Sequence, residues 1–213
     1  MTQPLDAIVA IHNAFRSDMK MIDAAALGAA RGQTGLAPRI ERFQFLNEIL
    51  VWHAAGEEQF VFPALETVAP SVAEPYVMDH HGLDAAYEAL NAAVFADDTL
   101  QAARAAAAFK FHLDIHLKKE DTHLYRLFGE RIPMPEQGKV MGQMAGTVPQ
   151  ERFPEVIAWM FPLLGANDRE NMIRIWQTVM PAPVFAGVKP LIRKAIGDDW
   201  AEMERRIPAL SEG

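Results

Sequence analysis

His53 and Glu57, and again His116 and Glu120, place an imidazole four residues ahead of a carboxylate. On an α-helix such a pair lies about 40° apart around the axis and about 6 Å apart along it, so both side chains can reach one metal ion. Each pair is set among apolar residues: Phe45, Leu46, Ile49, Leu50, Trp52, Phe60 and Val61 around the first, and Phe109, Phe111, Leu113, Ile115, Leu117 and Leu124 around the second. Nitrogen and oxygen donors buried among such residues cost free energy unless something satisfies them. A cation does that.

The remaining histidines extend the set. All seven fall between positions 12 and 123, and none follows. In a bundle of four helices the inward faces would offer His12 from the first, His53 with Glu57 from the second, His80 from the third, and His116 with Glu120 from the fourth. Two carboxylates that can each bridge a pair of ions, with four imidazoles, suit a dinuclear centre that keeps coordination positions open. An open position is where a small ligand would bind. The chain has no Cys, so thiolate sites, iron–sulfur clusters, disulfides and Cys nucleophiles are excluded. Nitrogen and oxygen ligation suits iron, manganese or zinc, and the residues alone rank these only weakly.

Neighbouring groups leave choices open. His81 competes with His80, and Asp121 with Glu120, although the stacked four-residue spacing favours Glu120. His112 stands one turn before His116 and reads equally as an extra ligand, a donor to a ligand or a partly buried histidine. His123 reads as structural, Glu58 as solvent-facing or paired with a cation, and Tyr76 and Tyr125 by default as core, with lining of the pocket as the alternative.

These groups need long helices to position them. Periodic runs rich in Ala, Leu, Glu, Arg and Met, with almost no alternating β-branched runs, predict an all-α protein. Pro4 opens a first helix with the stripe Leu5, Ile8, Val9, Ile11, Phe15, Met19 and Ile22; residues 31–35 break it. A second helix runs from near Pro38 to Leu65, with Pro63 kinking or closing it. A third, capped by Ser71, runs to about Phe95, and a fourth from about Thr99 to Phe128, ended by Gly129. Four long segments with short turns predict an up-down-up-down four-helix bundle over residues 1–130. Beyond Pro135 come shorter apolar pieces at about 140–145, 153–164, 171–180, 184–196 and 200–207. Asn167–Asp168 and Gly197–Asp199 stand as caps between them. Residues 131–213 are therefore expected to form a helical extension packed on the bundle, which could also carry a protein partner.

Apolar residues make up 50% of the 213, and the net charge is −8. An acidic chain without a basic cluster argues against nucleic acid. The N-terminus has no basic stretch before an apolar run, and no apolar stretch approaches the roughly 20 residues of a membrane span, so a cytoplasmic protein is expected. No Ser-His-Asp arrangement or phosphate-cradling Gly loop is visible.

Taken in order, His12 with Asn13-Ala14-Phe15-Arg16, the string WHAAGEEQFVFPAL around His53, DHHGLD around His80 and HLKKEDTHLYRLF around His116 resemble the successive motifs of the hemerythrin-like (HHE cation-binding) family over residues 5–130. The resemblance implies a four-helix bundle enclosing an oxo- or hydroxo-bridged pair of iron ions. Glu57 and Glu120 would then bridge, with His12, His53, His80 and His116 as terminal ligands. The chain departs from the oxygen-carrying members, which place a His four after the third-helix ligand; here that position is Asp84. The expected function is binding or sensing of dioxygen, a related small ligand such as nitric oxide, or iron status. The alternative is a di-iron oxidoreductase acting on peroxide, oxygen or nitrogen oxides.

Overall fold

Runs of helix-favouring residues interrupted by Gly, Pro and Asp divide the chain into helices and short turns. The computed structural model describes residues 3–33 and 35–211, with the backbone alone for 37–41; Thr34, in the expected first connector, lies outside them. Helix α1 spans Asp6–Ala30, α2 Ala37–Gly56, α3 Phe62–Glu66, α4 Glu74–Phe95, α5 Thr99–Lys119, α6 Tyr125–Arg131 and α7 Met134–Ala145. They are followed by α8 Phe153–Leu163, α9 Ala166–Val179, α10 Ala182–Ile196 and α11 Trp200–Arg206. No strand occurs among the described residues. No helix among them is long and apolar enough to cross a membrane.

Two compact units result. The larger, Phe15–Thr147, is an up-down-up-down four-helix bundle formed by most of α1, by α2 with α3, by α4, and by α5 with α6, with α7 added. The core stripe of α2 is Phe43, Leu46 and Ile49, continued by His53 and Glu57; that of α5 is Phe109 and Leu113, continued by His116, Leu117 and Glu120. Each run keeps the three- and four-residue spacing of one helix face. Phe111 and Ile115 fall off that face and are exposed, as is Val9 on α1, about 100° around from the buried Ile8.

α2 does not end at Pro63. One π-helical turn, Glu57–Val61, joins it to α3, and a second, Glu120–Leu124, joins α5 to α6. The Phe62 N–H donates to the Glu57 carbonyl and the Tyr125 N–H to the Glu120 carbonyl, both five residues back. Pro63 has no N–H and crowds the carbonyl four residues before it, which favours widening at the first turn. The second turn contains no proline.

Other helix ends also differ from expectation. Ser71 does not cap α4: it lies at φ 64°, and its N–H donates to Glu66 Oε2 at 2.7 Å, while Ala73 N–H donates to Oε1 at 2.9 Å. The Glu66 carboxylate thus satisfies the donors that Ser71 was expected to serve, and those bonds lower its pKa. Asp98 caps α5 through the Gln101 N–H at 3.0 Å. Gly129 sits inside α6, which continues to Arg131. Ile132, extended ahead of Pro133, ends it, and Gln137 Nε2 donates to the carbonyls of Gly129 and Ile132.

Two close approaches fasten α7 to α2. A methyl group on Gly56 would stand 2.5 Å from Met144 Cγ, so only glycine fits there. The Thr147 hydroxyl donates to the Trp52 carbonyl at 2.8 Å.

The smaller unit combines the described residues up to Ala14 with those from Val148. Ile157, Phe161, Ile173, Ile192 and Met203 are wholly buried in it. Arg169, 8% exposed, donates to the Phe161 carbonyl at 2.9 Å and to Asp199 Oδ2 at 2.6 Å, so it serves the open carbonyl end of α8. Neither Asn167 nor Asp199 supplies a side-chain cap to the helix it precedes or opens.

Candidate metal centre

The two π turns start at the two carboxylates. Glu57 and Glu120 are both 0% exposed, which for ionisable groups requires a specific reason. Glu57, His80, His116 and Glu120 each offer one donor atom, all within 4.8 Å of one another. His80 Nε2 lies 3.3 Å from Glu57 Oε2 and 4.0 Å from Glu120 Oε1, and His116 Nε2 lies 3.2 Å from Glu120 Oε1. His53 Nε2 is 3.4 Å from Glu57 Oε1. His12 is wholly buried on the part of α1 that belongs to the smaller unit. Phe15, three residues on and in the larger unit, meets the His53 ring edge-on at 5.3 Å.

The neighbouring candidates separate clearly. His81 and His112 are exposed, and among the described residues neither joins a group able to hold a metal. Asp121 pairs with Arg16 at 2.6 Å. Glu58, 40% exposed, accepts from His80 Nδ1 at 2.7 Å. An ionised carboxylate can only accept, so Nδ1 carries the proton and Nε2 is left to face Glu57. His116 Nδ1 lies 3.5 Å from Asp79 Oδ2, and Asp79 is itself held by Lys119. His123 Nδ1 sits 2.8 Å from the Tyr76 hydroxyl.

Two aromatic residues at the site stand five positions after the carboxylates. Phe62 stacks on the His80 ring at 5.7 Å and 18°. Tyr125 is buried, and its hydroxyl donates to Glu57 Oε1 at 2.6 Å. With regular helical spacing a residue five on points about 140° away from the first; in a π turn it comes round beneath it. The periodic reading therefore assigned Tyr125 to general core packing. An aromatic residue at the same offset in both motifs was the signal available.

Burial and charge divide the protons unevenly. Burial alone would raise Glu57, but the attraction of the facing His53 and His80 imidazoles outweighs it and holds the carboxyl well below its usual range. Glu120 is pushed well above that range by burial and then by the charge on Glu57. Burial opposes a charge on His80, yet the facing Glu57 carboxylate, then the bond to Glu58 and the charge of Glu120, bring it up to about 9. Burial lowers His116 against the pull of Glu57. Tyr125 is raised well above its ordinary value by burial and by both carboxylates, so its phenol stays a donor.

The fit to a cation rests on atoms left over. Glu57 Oε2 and His80 Nε2 are buried, 3.3 Å apart, and without a hydrogen bond. Such atoms are costly in isolation and are natural ligands. A family model for the hemerythrin HHE cation binding domain matches residues 3–128. The chain belongs to that family. The bundle of this hemerythrin-family protein is the cation-binding unit the family is described by. Among curated proteins it is 24% identical over 185 residues to the zinc finger protein BRUTUS of Arabidopsis thaliana, and 24% identical over 188 residues to a BRUTUS-like zinc finger protein of the same plant. Each alignment covers 84% of this chain but 15% of the relative, so the chain spans about a seventh of their length. No solved structure matches the chain.

Proposed function

We propose that the protein holds two iron ions in the bundle and uses them to bind or sense a small ligand, either dioxygen, nitric oxide or a related molecule, or iron itself. The pair of buried atoms without a hydrogen bond, Glu57 Oε2 and His80 Nε2, carries the reading. In it Glu57 and Glu120 would hold the ions through their carboxylates, and His53, His80 and His116 through their imidazoles. His12, one turn before Phe15 on the same helix, completes the set. Iron ranks ahead of manganese and zinc because a sulfur-free set of imidazoles and two carboxylates suits paired iron.

Bound iron would supply an open, redox-active coordination position. The rest is the work of the chain. Glu58 fixes the His80 tautomer, Phe15 and Phe62 pack against the His53 and His80 rings, and Tyr125 steadies one oxygen of Glu57. The Tyr125 phenol donates directly to Glu57 at 2.6 Å. A di-iron oxidoreductase acting on peroxide, oxygen or nitrogen oxides is the alternative, and steady consumption of peroxide would select it.

Metal content per chain after purification without chelator, together with the absorption spectrum before and after oxygen, tests the proposal. About two irons per chain with the absorption of paired ferric ions is the expected result. One zinc, or no metal after exposure to ferrous iron, refutes it.

A further inference from the structure

A cavity of about 240 Å³ inside the larger unit reaches the candidate ligands from solvent. Its floor includes His53, His80 and His116; its walls include Leu83 and Phe109, and its polar rim is Asn47, Glu58 and Asp84. These come from α2, the first π turn, α4 and α5, and no Lys or Arg is among the lining residues. Asp84 is exposed and forms no hydrogen bond or ion pair with another described residue, and Glu58 pairs only with His80.

The opposite acidic neighbour is treated differently. Glu58 and Asp121 each follow a buried carboxylate by one residue. Asp121 is neutralised by Arg16 at 2.6 Å, whereas among the described residues no Lys or Arg pairs with Glu58 or Asp84. Below this rim lies His80, 6% exposed, with Nε2 lacking a hydrogen bond. Two carboxylates at the rim of a cavity with apolar walls focus the field toward that nitrogen and raise the local concentration of cations.

We propose that this cavity is the loading port of the metal centre, with Asp84 and Glu58 drawing a divalent cation to His80. The proposal rests on the metal-centre reading above and specifies how the ions enter. Asp84 is four residues after His80, one turn further along α4, and acts only by charge. Its removal should slow entry without changing how much metal is finally held.

Metal-free protein mixed rapidly with cobalt(II), whose visible absorption develops on binding, tests this. At low ionic strength Asp84→Asn should take up cobalt roughly three- to tenfold more slowly than wild type, within the range of electrostatic steering. In about 1 M salt, where screening extends only about 3 Å, the difference should vanish. Final cobalt per chain should be equal throughout. Ala54→Phe, which narrows the cavity without altering charge, should slow entry at every salt concentration. Equal rates for Asp84→Asn and wild type at low salt overturn the port, as does a slowing that salt leaves unchanged. No cobalt uptake by wild type overturns the metal centre itself, and the port with it.

Discussion

Replacing Tyr125 by Phe removes one oxygen and almost no volume, so it deletes the bond to Glu57 with little change in packing. The phenol donates at 2.6 Å to a carboxylate that is 0% exposed, and Tyr125 itself is 5% exposed. A hydrogen bond to a charged group contributes about 1.5–3 kcal/mol, and water cannot replace a donor at this depth. In the metal-free protein Glu57 is the ionised member of the carboxylate pair, so the whole effect should appear there. For a chain of this size that corresponds to a fall in unfolding midpoint of about 3–12 °C. Thermal and urea unfolding of metal-free wild type, Tyr125→Phe, Glu57→Leu and the double variant measures it. With Leu at 57 the acceptor is gone, and the tyrosine substitution should then cost nothing. A Tyr125→Phe protein within about 0.5 kcal/mol of wild type, or an equal loss in the Glu57→Leu background, would refute the assignment of this bond as a support of the site.

Glu57→Ala or Glu120→Ala should lose most of the bound iron by elemental analysis, while His112→Ala and His81→Ala, on exposed positions, should retain it. Glu58→Ala should still bind metal but more weakly by competition with a chelator, because His80 Nδ1 loses its 2.7 Å partner. Gly56→Ala should destabilise the bundle by about 1–3 kcal/mol through overpacking against Met144, and Met144→Ala in the same chain should recover part of the loss in urea unfolding. In the metal-free protein His80 is raised from 6.5 to about 9. Its contribution to stability is therefore complete below about pH 6.5 and lost as pH rises through about 9, at most about 3 kcal/mol by linkage. Unfolding measured across that window should show the decline in wild type and a flatter profile in His80→Leu.

Residue types and spacing were enough for the bundle, because four amphipathic stretches with short turns bury their stripes in few ways and the His-x3-Glu pairs fall on those stripes. The same periodicity set the order of the later helices, although not their ends. Ser71, Gly129 and the Asn167–Asp168 pair were read as local signals. Near Ser71 and Gly129 open backbone groups were instead reached by Glu66 and Gln137, and the carbonyl end of α8 by Arg169, side chains whose reach depends on how the chain folds back.

At the candidate site, the sequence by itself determined that imidazole and carboxylate donors are available and that thiolates are not. Only the tertiary structure decided what surrounds them. A regular helix would point Phe62 and Tyr125 about 140° away from the carboxylates five residues before them; the two π turns widen the backbone there, with Phe62 against His80 and Tyr125 against Glu57. Neither the pairing of Glu58 with His80, nor that of Asp121 with Arg16, nor the cavity that leaves Asp84 facing solvent follows from periodicity. Spacing along one helix fixes which residues share a face; the partner presented by the neighbouring helix depends on how their axes pack.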